Sequence, residues 1–113
     1  MLVKIISTNR FIPPRFSAYT IGFIILVRPD YKDDIGLIEH EKIHVKQFWR
    51  TLGLNGLFYF FSKKKRLEYE VEAYRKQLEY AEERSTSKKL FAYYLVANYK
   101  LDITKEEAAR LLD

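Results

Sequence analysis

The sequence predicts an α+β fold: a small N-terminal antiparallel sheet followed by helices, in a single domain spanning residues 1–113. Three observations carry that prediction. The strongest strand signal, β-branched and aromatic, lies at Ala18–Val27. From Leu37 onward apolar residues recur at helical spacing, broken chiefly around Gly53–Gly56 and Ser85–Ser87. A chain of 113 residues is long enough to bury one modest core and too short for two.

The elements follow in chain order. Residues 1–16 read as a short strand or arm ending at Pro13-Pro14, a pair that blocks regular pairing and marks a turn. Ala18–Val27 (AYTIGFIILV) is the strand, with Gly22 inside it and Arg28-Pro29-Asp30 closing it. Asp33 and Asp34 offer N-caps for a first helix, read from Leu37 to about Leu52. Phe48 and Trp49, one turn past His44, are expected to pack on the sheet. Leu57–Phe61 (LFYFF) is a short aromatic run, and Lys63–Arg66 a basic loop after it. That run and its lysines also have the composition of a membrane-interface contact, although core packing under a loop is the commoner use. A second helix runs from Leu67 to Arg84 without Gly or Pro, and a third from Lys89 to Lys100. Thr104 and Glu107 form a capping box that opens a last helix reaching Leu112.

Composition narrows the functional classes. Hydrophobic residues make up 48% of the chain and aromatics 16%, which argues against disorder. There is no cysteine, so neither a disulfide framework nor a thiolate metal site exists. Leu2–Ile6, interrupted by Lys4, is too short for a signal-peptide core. The apolar runs Ile21–Val27 and Leu57–Phe61 fall far short of the roughly 20 residues that cross a bilayer. The expectation is a soluble, cytoplasmic protein. A net charge of +5 is compatible with nucleic acid, but 15 acidic residues are interspersed with 20 basic ones and no single-sign tail results. A small core so rich in aromatics leaves room for a homodimer.

One constellation carries chemistry. Residues 40–44 read His-Glu-Lys-Ile-His, an HExxH, and the two histidines of the chain both lie in it. On a helix, positions i and i+4 share a face, so both imidazoles can reach one metal ion. Glu41, about 100° round from His40, is placed to take a proton from a metal-activated water instead of binding the ion. Chance alone yields this pattern on the order of once in several hundred chains of this length. A zinc site of the catalytic type needs a third protein ligand and an open position. With no further histidine, that ligand must be a carboxylate. The second helix offers Glu68, Glu70 and Glu72. Taking Leu67, Val71, Tyr74, Leu78 and Ala81 as the buried stripe, Glu70 lies about 60° from its centre, Glu68 about 100° and Glu72 about 140°. Glu70 is therefore favoured, with Glu68 and Glu72 as alternatives facing solvent.

The motif helix, the strand before it and Glu70-Val71-Glu72-Ala73 together resemble the gluzincin zinc metallopeptidases, in particular their minimal members. The last segment is similar to the Glu-x-x-Ala-Asp signature of several such families, which implies Glu70 as the third zinc ligand. His44-Val45-Lys46-Gln47 is similar to the continuation found in short HExxH proteins of bacteria and their phages. The resemblance spans roughly residues 18–78. It implies Zn2+ held by His40, His44 and Glu70, Glu41 as general base and acid, and an extended peptide or protein substrate paired along Ala18–Val27. Two positions depart from it. Tyr74 stands where the signature has Asp, so the acceptor for the first histidine's free ring nitrogen must be Tyr74, a backbone carbonyl or another side chain. No histidine is left to stabilise an oxyanion, which leaves an arginine or one of Tyr69, Tyr74, Tyr93 and Tyr94. A zinc-binding adaptor without turnover, or a basic nucleic-acid-binding protein, are the alternative readings.

Overall fold

Two short strands folded back on each other form a hairpin, and a third from the N-terminus joins it on the far side of the second hairpin strand. The computed structural model describes all 113 residues. Its strands are β1 (Lys4–Ser7), β2 (Ala18–Ile21) and β3 (Ile24–Val27), in the spatial order β1-β3-β2. Five helices follow: α1 (Ile35–Arg50), α2 (Asn55–Phe61), α3 (Lys63–Leu78), α4 (Arg84–Asn98) and α5 (Lys105–Leu111). The α+β class is as expected.

The sheet is mixed instead of purely antiparallel. The segment read as one strand is a hairpin: Gly22 adopts φ +62° and reverses the chain, so β2 pairs antiparallel with β3. A Cβ at Gly22 would also meet the Phe48 ring at 3.4 Å. β1 pairs parallel with β3, because residues 8–17 cross from one edge of the sheet to the other. Arg28 fastens this crossover, donating from Nε to Phe16 O at 2.9 Å and from Nη2 to Ile12 O and Pro13 O at 3.2 Å each. β3, the central strand, buries Ile25, Leu26 and Val27.

Helix α1 starts where an aspartate caps it: Asp34 accepts from Leu37 N at 3.0 Å. It packs on β2 and β3 on one side and on α3 on the other. Phe48 and Trp49 do reach the sheet hairpin, Phe48 against Gly22 and Trp49 stacked on Phe23. The aromatic run 57–61 belongs to helix α2, and Lys63–Arg66 is not a loop: it forms the first turn of α3, capped by Ser62. Residues 85–87 likewise lie in the first turn of α4. The capping box Thr104–Glu107 is present and opens α5. A core of Tyr74, Leu78, Phe91, Leu95, Tyr99, Leu101 and Leu112 joins α3, α4 and α5. No helix is long and apolar enough to cross a membrane.

Candidate metal centre

His40 and His44 stand one turn apart on α1, on the side that meets α3. Glu70, in the middle of α3, faces them and is 3% exposed. Its Oε1 lies 3.3 Å from His40 Nε2 and 3.2 Å from His44 Nε2. Ligands held at about 2.0–2.1 Å by a tetrahedral ion are about 3.3–3.4 Å apart, so these separations fit the edges of such a site. The three side chains form a cluster that can hold a metal ion.

The hydrogen-bonding partners of the histidines define what the cluster presents. His44 Nδ1 meets Gln47 Oε1 at 2.8 Å. Gln47 is completely buried, and its Nε2 donates to Tyr69 O at 3.0 Å and Glu72 Oε1 at 2.9 Å. Both of those are acceptors, so the amide orientation is determined and Nδ1 of His44 must be the donor. His40 Nδ1 meets Gln77 Oε1 at 3.0 Å in the same relation. In the neutral rings, both Nε2 lone pairs then converge with an anionic oxygen on one point. Only a cation at that point reconciles three such donors, either a proton or a metal ion.

The electrostatics agree. Burial alone would lower the pKa of His44, but the Glu70 carboxylate, with Glu41 adding to it, outweighs burial and lifts it to about 10. Burial works the other way on Glu70, and His44 and His40 override it, holding its carboxyl well below the usual carboxylate range. Its second oxygen is also held: Tyr59 of α2 donates to Oε2 at 2.6 Å. Burial first, then the charge of Glu70, pushes the Tyr59 hydroxyl above its ordinary pKa, so it remains a donor.

Glu41 is buried beside the cluster, with Oε2 3.7 Å from His40 Nε2. Thr20, on edge strand β2, donates to its Oε1 at 2.8 Å. Next to His40 and Glu41 lies a cavity of about 90 Å³, lined also by Arg15, Tyr74, Tyr94 and Tyr99. Tyr74 packs its ring edge on His40 at 4.4 Å, while its hydroxyl pairs with Tyr99 at 2.7 Å. Of the four tyrosines singled out from the sequence, Tyr74 and Tyr94 thus line this cavity. Tyr69 is buried away from it, and Tyr93 is half-exposed under Lys105.

The sequence-derived cluster of His40, Glu41, His44 and Glu70 is therefore assembled in one place. Glu68 and Glu72 stay outside it: Glu68 pairs with Lys65, and Glu72 with Arg50 and Gln47. Glu72 is partly buried by that pairing and does not simply face solvent. The buried face of α3 is centred on Glu70 itself, since Tyr69 and Ala73 are buried while Leu67 and Val71 are only half-buried. Helix α1 covers a side that apolar spacing alone does not reveal. Sequence reasoning missed Gln77, Tyr59 and Thr20. Gln77 was within reach, being two turns from Glu70 on the same face. Tyr59 and Thr20 carried no local signal, because their partners lie on other elements.

Comparison with protein families, curated proteins and solved structures finds no match to this chain.

Proposed function

We propose that this chain is a metal-dependent hydrolase, and more specifically a zinc metallopeptidase acting on extended peptides. The observation that carries the reading is one carboxylate oxygen, Glu70 Oε1, at tetrahedral-edge separation from both imidazole Nε2 atoms, with a second buried carboxylate alongside. Two imidazoles and one carboxylate are a donor set of catalytic zinc sites, which keep a further position open. They suit zinc better than calcium or magnesium, which prefer oxygen ligands throughout.

Zinc, when bound by His40, His44 and Glu70, supplies a Lewis acid that acidifies water. The remaining roles belong to the chain. Gln77 and Gln47 hold each imidazole with Nε2 turned inward. Tyr59 holds Glu70 so that Oε1 alone faces the two rings. Thr20 occupies Oε1 of Glu41, leaving Oε2 free to accept a proton and return it to a leaving amine. Edge strand β2 has one unpaired side, and it carries Thr20, so a peptide added to it would run past Glu41. Tyr94, Arg15 and whichever of Tyr74 and Tyr99 does not donate to the other are the donors in the adjoining cavity available to a developing oxyanion.

The test is metal content of untagged protein, combined with cleavage of a peptide library. About one zinc per chain is expected, and it should be lost in the double variant His40→Ala, His44→Ala. Glu41→Gln should keep the zinc and lose turnover by about 10²–10⁴-fold. Failure to take up zinc sinks the proposal. Zinc binding with no cleavage by the native chain would leave a metal-binding adaptor.

A further inference from the structure

Between the metal helix and α3, the chain exposes apolar side chains where a folded domain would bury them. Residues 52–61 include Leu52, Leu54, Leu57, Phe58, Phe60 and Phe61, all exposed. Phe60 and Phe61 are 74% and 75% exposed and lie against each other, ring centroids 5.0 Å apart. Leu52 is 89% exposed and holds a left-handed backbone, φ 53°, which costs a bulky residue energy without any packing in return. In helix α2 the arrangement is inside out. Tyr59 points inward to Glu70, and Leu57, Phe58, Phe60 and Phe61 point outward.

Directly after this apolar surface come Lys63, Lys64, Lys65 and Arg66. The whole stretch 52–66 contains no Asp or Glu. Lys63 and Lys65 reach Asp102 and Glu68 at exposed positions, and Lys64 has no ion-pair partner. Arg66 is turned back on helix α2, donating to Tyr59 O at 2.9 Å. Positive charge at the start of a helix opposes its dipole, so three lysines there are unfavourably placed for α3 itself.

We infer that residues 52–65 form a docking surface for an anionic lipid bilayer, with the phenylalanines and leucines entering the interface and the lysines on the headgroups. Apolar side chains flanked by basic ones are the combination such surfaces attract, since burial of the rings and attraction of the charges add. The opposite face of the same helix holds a metal ligand through Tyr59, so the docked chain keeps its metal cluster close to the lipid surface. The inference is independent of the peptidase reading, because binding is measured without turnover.

The experiment is co-sedimentation of the full chain with phosphatidylcholine vesicles, with and without phosphatidylglycerol, at low and high salt. Binding is expected only with phosphatidylglycerol and should weaken as salt rises. Phe60→Ser with Phe61→Ser should reduce it at least about tenfold. Lys64→Gln with Lys65→Gln should reduce it by roughly fivefold for each lysine. Thermal melts of both variants should match the native chain, since neither pair belongs to the core. Equal binding to both vesicle types, or binding unaffected by either variant, overturns the inference. So does self-association that disappears in the phenylalanine variant, or binding to oligonucleotides in place of vesicles.

Discussion

Replacing Tyr59 by Phe removes one oxygen and keeps the ring, so it isolates a single hydrogen bond. In the native chain that hydroxyl donates to Glu70 Oε2 at 2.6 Å, where the carboxylate is shielded from water. A hydrogen bond to a charged group contributes about 1.5–3 kcal/mol. The ring contacts, edge-on to His44 at 6.4 Å and beneath the Arg66 guanidinium at 5.9 Å, are retained. The metal-free variant should therefore lose about 1.5–3 kcal/mol of stability in denaturant unfolding. Its metal affinity should fall as well, because Glu70 can then turn about its last bond and Oε1 is no longer held between the two Nε2 atoms. Loss of a partner behind a metal ligand weakens binding by about 10–100-fold. Zinc titration against a chromogenic chelator at neutral pH reads this directly. Affinity within twofold of native would refute the reasoning, and would mean that helix packing alone orients Glu70.

Gln77→Leu should weaken zinc binding by a similar 10–100-fold, since His40 loses the acceptor that turns its Nε2 inward; the same chelator titration checks it. Protons and metal compete for the cluster. With the His44 pKa raised to about 10, the metal-free chain holds that proton at pH 7, so zinc uptake should release it. Calorimetry in two buffers of different ionisation heat would measure the release, and none at pH 7 would contradict it. In the metal-free chain the raised His44 pKa stabilises the fold fully below about pH 6.5, and this contribution fades as pH rises through about 10. The lowered Glu70 pKa contributes above its ordinary value of 4.5 and is lost on acidification. Metal-free stability from this pair should thus peak between about pH 4.5 and 6.5, as urea unfolding across pH would record. Leu95→Ala, at a fully buried position between α3, α4 and α5, should cost about 2–5 kcal/mol by thermal or urea unfolding, without changing zinc stoichiometry.

The sequence by itself determined what depends on a single helix. His40 and His44 share a face of α1 because four residues make about one turn wherever the backbone is helical, and Asp34 and the Thr104–Glu107 box start their helices through contacts three residues away. Glu70 was legible more narrowly. Spacing placed it at the margin of an apolar stripe, whereas the fold puts it at the centre of the buried face, with α1 covering that side. Only tertiary structure decided the rest. The long strand became a hairpin on the positive φ of Gly22, and β1 became a parallel partner because the Arg28-bound crossover carries the chain past β3. Tyr59 reaches Glu70 across 11 residues, Thr20 reaches Glu41 across 21, and Gln77 reaches His40 across 37. Such contacts join elements whose relative positions follow from burial of the whole core, a non-directional force summed over many side chains. Local spacing can reveal which residues are able to bind a metal; the packing of α1, α2, α3 and β2 selects the partners that orient them.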